Sequence, residues 1–374
     1  MRKVAVLVAL AVMAAFGQRH KIENVDPEKP EGKLLQQIIG ESDPAKQAVL
    51  LEQYAGQFPK ADGTGWVLEQ LQKFYMKAGQ PDKALAAGEK LLALDPGDTE
   101  TALQNLKAAE AKKDPASILK WSASVSALAR KAAAAPKPAD EDEAATWKSD
   151  VEYAKQVDGY SEYALYRAAV ETRDPKTVIE LLEALQQRSP NSEYSVRAAD
   201  PLFIAYRQAG ANDKALAVAE RALAVQQTNE DMLLLAADSY LQNKKEPEKV
   251  HAYTAKVVEL MAQKPQPEGV ADADWNTRKN LVNGVAHFLD GKLYYEESQF
   301  ARADQELRAA LPLVESNEAM KPEVLFLLGF ANYKMEKIQE AVDYYRACAA
   351  IKSPFQATAN KNLAGIKRQY TGIK

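Results

Sequence analysis

The chain has 374 residues, 47% of them hydrophobic and 27% charged. That is enough apolar material for an extensive core, and it excludes wholesale disorder. Its 48 basic and 52 acidic residues leave a net charge of −4 and are interspersed along the chain, which argues against the concentrated basic footprint of a nucleic-acid binder.

In chain order, Arg2 and Lys3 precede an unbroken apolar run from Val4 to Phe16. Ala15 and Gly17 then place small residues three and one before a cut ahead of Gln18, the layout of a secretory signal peptide over residues 1–17. The run is too short for a spanning helix of about 20 residues, and no cysteine lies near the cut to receive a lipid. The processed chain is therefore expected to be soluble, periplasmic or secreted. Its only cysteine, Cys348, cannot form an intramolecular disulfide, so packing must hold the exported fold.

Residues 18–30 are polar and aperiodic and read as a flexible lead-in. From residue 31 onward, apolar residues recur at three- and four-residue spacing, in segments separated by AGQPDK, LDPGD, TRDPK, RSPNS and AGANDK. This is the helical period with turn chemistry between segments, built largely from the helix formers Ala, Leu, Glu, Lys and Gln. Strands are not expected. The organisation reads as an N-terminal helical block over 31–135, a linker over 136–144 and a C-terminal block over 145–374. Pro136 and Pro138 mark the linker, and the acids Asp140 to Glu143 favour a helix start; an acidic docking patch is the alternative. Residues 145–172 form one long helix or two broken at Asp158-Gly159.

The segments also resemble one another. Residues 65–96 carry Leu71, Tyr75, Gly79, Ala84 and Pro96, and residues 202–223 carry Leu202, Tyr206, Gly210, Ala215 and Ala222. Residues 291–311 carry Gly291, Tyr294, Ala303 and Ala310, and residues 327–354 carry Leu328, Gly329, Ala341 and Tyr345. Weaker copies cover 43–59, 160–190 and 230–262. In these spacings the chain resembles the tetratricopeptide repeat (TPR) family, in an exported bacterial form. The resemblance implies an all-α, right-handed α-solenoid of helix-turn-helix repeats, closed by a C-terminal capping helix over 354–370. It places the glycine and the alanine where the paired helices approach most closely, and the Tyr and Leu in the groove to the next unit.

The same resemblance implies partner docking on a concave face lined by the first helix of each unit. Carried onto this chain, that face comprises Trp66, Lys73, Lys77, Arg207, Gln208, Asp238, Gln242, Lys292, Tyr295, Tyr333 and Lys334. Some members clamp a peptide carboxylate with lysine and asparagine; Glu69 and Lys73 stand there instead, so chaperone-tail binding is not expected. From Tyr344 onward the chain has basic residues and no acid, with Lys361, Lys367, Arg368 and Lys374 as a basic C-terminal surface. It either complements a helix dipole or contacts an anionic envelope surface.

No catalytic constellation is visible. His20, His251 and His287 are isolated in sequence, and no HExxH pair, P-loop or glycine-flanked serine occurs. Neither a metal nor a cofactor is expected. The reading is a non-catalytic protein-protein interaction scaffold or adaptor of the bacterial cell envelope. The alternatives are a binding module for a glycan or cell-wall ligand and, further off, an enzyme on a helical scaffold.

Overall fold

The computed structural model describes residues 19–22 and 25–370; the expected signal peptide, Gln18 and Lys374 lie outside the described residues. Among the described residues there are 18 α-helices and no strand. The chain divides into two compact units between Pro201 and Leu202.

The first unit contains α1 (Pro30–Gly40), α2 (Pro44–Gln57), α3 (Thr64–Lys77), α4 (Pro81–Leu94), α5 (Thr99–Lys112), α6 (Pro115–Ala133), α7 (Glu141–Glu171), α8 (Pro175–Arg188) and the short α9 (Glu193–Arg197). The division falls inside α10 (Ala199–Gln208). The second unit continues with α11 (Asn212–Val225), α12 (Glu230–Gln242), α13 (Pro247–Gln263), α14 (Asp272–Glu296), α15 (Phe300–Leu313), α16 (Lys321–Lys334), α17 (Ile338–Ala349) and α18 (Gln356–Gln369).

Local chemistry explains where the helices start. Three begin at an Asp-Pro pair: Asp43, Asp114 and Asp174 cap α2, α6 and α8 by accepting backbone N–H bonds, with Pro44, Pro115 and Pro175 in the first turn. The aspartate satisfies N–H groups that have no intrahelical partner, and proline brings none of its own. Asp140 does the same for α7, accepting from Asp142 N and Glu143 N at 3.0 Å.

Consecutive helices fold back on one another as hairpins, such as α3 with α4, α5 with α6, α14 with α15 and α16 with α17. Within each unit the hairpins pack on the next in series, and several first helices also touch the first helix of the neighbouring hairpin, as α3 does α5 and α14 does α16. This nearest-neighbour stacking is the TPR-like fold. Its alanine positions behave as expected: Ala84, Ala215, Ala303 and Ala341 are fully buried. So do two of the glycines. A Cβ on Gly291 would lie 2.8 Å from Leu307 Cγ, and one on Gly329 would lie 2.8 Å from the Tyr345 ring. Gly79 and Gly210 differ. They sit in the hairpin turns at φ +66° and +71° with nothing within 4 Å of a Cβ, so their function is left-handed backbone rather than close packing.

The repeat tyrosine also points the other way from expectation, onto the preceding unit. Tyr75 donates to Glu52 of α2, and Tyr240 donates to Glu220 of α11 at 2.8 Å. A cation from the tyrosine's own hairpin covers the ring: Lys83 over Tyr75 at 5.1 Å, Lys214 over Tyr206 at 5.4 Å, Lys249 over Tyr240 at 5.6 Å and Arg302 over Tyr294 at 5.5 Å. Each such contact adds about 0.5–1 kcal/mol at an exposed site. In the last copy Asn332 replaces the tyrosine; it is fully buried and donates to Asp304 Oδ1 at 2.6 Å.

Two boundaries depart from the sequence reading. The lead-in is held in place where it is described: Arg19 bonds both Asp95 oxygens, at 2.5 and 2.9 Å, and His20 Nε2 lies 3.1 Å from Asp98 Oδ2. Ile22 and Val25 pack against the core formed by Leu35, Ile38, Leu51, Tyr54 and Leu68. The stretch 136–144 is a connection inside the first unit, not a boundary between units. Helices α6 and α7 pack on each other across it, with Ser126 and Arg130 bonded to Asp158 at 2.5 and 2.8 Å and Trp147 Nε1 donating to the Ala135 carbonyl at 2.8 Å. Helix α7 runs unbroken through Asp158-Gly159. At the other end α18 covers the last hairpin, with Ala359 and Ile366 buried against Leu325, Ala341 and Tyr345.

Candidate interaction surface

The first helices of the hairpins carry the residues expected to meet a partner, and the structure sorts them into two kinds. In the second unit four of them are engaged in contacts between helices or with Phe330. Lys292 of α14 bonds Glu323 of α16 at 2.8 Å, and Tyr295 packs edge-on against Phe330 of α16 with ring centres 5.2 Å apart. Lys334 stands 5.4 Å over the same Phe330 ring, and the Tyr333 hydroxyl meets Gln369 of α18 at 3.1 Å. The other positions are dispersed. Arg207 bonds Asn212 at 3.0 Å beside an exposed Gln208, and Gln242 donates to Asp238 at 2.8 Å. In the first unit Trp66 is half-buried against the N-terminal core, Lys73 is paired with Glu69, and Lys77 is exposed.

A denser surface lies on α7, a first helix of the first unit, and on the short α9 beside it, at positions the sequence reading did not single out. Tyr160, Tyr163 and Tyr166 of α7 and Tyr194 of α9 form a strip of half-buried rings. Ring centres are 6.1 Å apart for Tyr160 and Tyr163, 5.6 Å for Tyr163 and Tyr194, and 5.9 Å for Tyr166 and Tyr194. Tyr153 and Tyr160 donate to Glu100 and Glu110 of α5 at 2.6 and 2.5 Å. Burial, together with these carboxylate bonds, raises both phenols above the ordinary tyrosine range. Tyr160 is thus anchored to Glu110, and the four rings pack on one another while remaining partly exposed. The visible signal is the three-residue spacing of Tyr160, Tyr163 and Tyr166, which puts them side by side on a helix surface.

Among the described residues, His251 and His287 are each paired with carboxylates. His251 Nδ1 lies 2.6 Å from Asp290 Oδ1, and its Nε2 faces Glu297 at 3.5 Å. The nearby Thr254 hydroxyl donates to Asp290 at 3.1 Å and to its own helix, so acid and histidine are present without a nucleophile on the second nitrogen. His287 is bonded to Glu306 at 2.7 Å. No group of three metal-ligating side chains occurs among the described residues.

Cys348 is fully buried, its thiol donates to the Pro322 carbonyl at 3.3 Å, and burial pushes its pKa up to about 11. A thiol so protonated is a poor nucleophile. The native chain should resist maleimide at pH 8 for a time that labels the guanidinium-unfolded chain completely; native labelling at the rate of a free thiol would contradict this packing.

At the C-terminus Lys361, Lys367 and Arg368 are exposed on α18, the last two in its final turn. No helix among the described residues is long and apolar enough to cross a membrane.

No protein-family model and no curated protein matches the chain. Among solved structures it is similar to the TPR domain of P58(IPK), at 14% identity over 91% of this chain and 98% of that one, with a TM-score of 0.27. It is also similar to the APC/C hetero-tetramer Cut9-Hcn1, at 14% identity over 91% of this chain and 57% of that one, with a TM-score of 0.33.

Proposed function

We propose that the chain is a non-catalytic scaffold that binds protein partners on the first helices of its hairpins, with the tyrosine strip of the first unit as the principal docking face. The strip carries the reading. Tyrosines supply large contact area at low cost in side-chain entropy, and a packed, partly exposed row of them is the kind of surface on which binding energy concentrates. The interplanar angles of 52°, 53° and 34° make an uneven relief rather than a flat platform. That favours interdigitating protein side chains over the glycan alternative, in which sugar rings need a flat face.

The test is a photoreactive residue in place of Tyr163, with Val49, exposed on α2, as the control position. A discrete adduct is expected at Tyr163 alone, and Tyr194→Ala in the same chain should abolish it. No adduct, or equal yield at both positions, defeats the reading. The site of action proposed is the bacterial envelope, on the strength of residues 1–17; sequencing the purified protein from its N-terminus should then start at Gln18. Peripheral contact of Lys361, Lys367 and Arg368 with an anionic envelope surface completes the proposal, and it requires that high salt release the protein from a washed envelope fraction.

A further inference from the structure

Where the tyrosine strip ends, the turn of the α5/α6 hairpin and the last turns of α7 enclose an open cleft of about 530 Å³. Its lining is mixed: Ile118 and Ala164, both buried, form an apolar side with Pro115 and Ala168, and Glu110, Lys113, Arg167, Glu171 and Thr172 form the polar side. At its base is the carboxylate of Glu110, whose side chain is only 9% exposed. Tyr160 of the strip holds one carboxylate oxygen, Oε2, at 2.5 Å. The other, Oε1, is buried without a hydrogen-bond donor. A buried carboxylate oxygen lacking a donor is an uncommon arrangement and calls for an explanation.

The nearest cation does not supply the missing bond. Arg167 Nη1 stops 3.8 Å from Oε1, because its Nε is engaged with Glu171 at 3.0 Å. Arg167 thus covers the oxygen without donating to it, and Glu171 offsets its charge. Lys113 is exposed at the rim, in a left-handed turn with φ 54°. A cleft with one apolar side and an undersatisfied carboxylate matches an aliphatic stem ending in an ammonium group.

We infer that this cleft takes the side chain of a lysine from a peptide segment of the bound partner, its ammonium displacing the Arg167 guanidinium and donating to Glu110 Oε1. This rests on the reading of the tyrosine strip as the docking face. Tyr160 belongs to both, so a chain lying along the strip would bring its side chains to the mouth of the cleft.

Titration of the full chain with three capped tripeptides, Ala-Lys-Ala, Ala-Leu-Ala and Ala-Glu-Ala, and with 1,5-diaminopentane tests it, read by the methyl resonances of Ile118, Ala164 and Ala168. The lysine peptide should shift these resonances saturably, and the leucine and glutamate peptides should not. Glu110→Gln keeps an acceptor for Tyr160 and removes the charge; it should weaken the lysine peptide at least tenfold. Arg167→Met removes the competing cation and should tighten it severalfold. Equal binding of the leucine or glutamate peptide, or unchanged affinity in Glu110→Gln, overturns the inference. Binding of the diamine without the lysine peptide overturns the peptide assignment. The photo-crosslink at Tyr163 reads the strip independently, so an adduct there without a lysine preference removes the cleft alone.

Discussion

Replacing Gly88 by alanine is expected to cost the first unit about 2–4 kcal/mol, although alanine is the better helix former by about 1 kcal/mol. Gly88 lies in α4, opposite two buried amides that join α3 to α5. Gln72 Nε2 donates to Asn105 Oδ1 at 2.9 Å and lies 3.4 Å from the Thr101 carbonyl, and both side chains are almost wholly buried. A Cβ on Gly88 would stand 2.1 Å from Asn105 Oδ1 and 2.3 Å from Gln72 Nε2. The amides can yield only by parting, which strands a buried donor and a buried acceptor at about 1–3 kcal/mol. Thermal unfolding of the first unit should fall by about 5–10 °C. Hydrogen exchange should rise first in α3, α4 and α5, because stacked hairpins lean on their neighbours.

The partner substitution separates this cause from a general intolerance of change. Asn105→Ala removes one bonded oxygen together with a buried Nδ2 that has no partner, so its own cost should be moderate. In the double variant the new methyl has room, and the loss should be smaller than the sum of the two single losses by about 1 kcal/mol or more. Additive losses would show that the close approach at Gly88 is not what destabilises the single variant.

Gly88 illustrates what the sequence carries and what it withholds. Asp43-Pro44, Asp114-Pro115 and Asp174-Pro175 act on their own first turns, so these helix starts are written locally, although only the last was marked, as part of the break TRDPK. The buried alanines and the capping helix were readable because their period is local. Gly88 was silent, since its constraint comes from amides on two other helices. Asp158-Gly159 left one helix or two open for the same reason: it resembles a break, but Ser126 and Arg130 of α6 bind Asp158 within a continuous helix. Arg19 and His20 looked like a solvated lead-in because Asp95 and Asp98, which hold them, lie more than 70 residues away.

The site was less legible than the fold. Tyr295 and Lys334 meet through Phe330, which the repeat spacing does not mark. The tyrosine strip escaped because its copy of the repeat is degenerate, so family positions pointed elsewhere. The cation over the repeat tyrosine is visible as an eight-residue spacing in three of the four pairs, Tyr75 to Lys83, Tyr206 to Lys214 and Tyr294 to Arg302, and as nine in Tyr240 to Lys249. Only the fold-back of the hairpin gives that spacing its meaning.

The second large effect should come from Glu230, which opens α12 and is 3% exposed. Lys264, at the end of α13, donates to both its oxygens at 2.7 and 2.6 Å, and Arg278 of α14 donates at 3.0 Å. One carboxylate thus ties three consecutive helices of the second unit. Burial alone would raise its pKa, but the bonds from Lys264 and Arg278 outweigh burial and hold it below the usual glutamate range. Glu230→Gln should therefore cost about 2–3 kcal/mol at neutral pH. The cost stays below that of an enclosed ion pair because Lys264 and Arg278 remain 40% and 46% exposed and keep part of their hydration. Asp231→Asn removes a second acid bonded to Arg278, at 2.8 Å, but Asp231 is half exposed; its effect should stay within about 1 kcal/mol. The pH dependence has a fixed sign. A carboxylate with a depressed folded pKa stabilises fully above its unfolded value of about 4.3 and loses that contribution as pH falls through its folded value. The gap in unfolding temperature between the native chain and Glu230→Gln should thus be widest near pH 7 and close progressively below about pH 4, with the other carboxylates cancelling in the difference. A gap that persists unchanged into acid would mean that glutamine disturbs packing, and that the charge clamp contributes nothing.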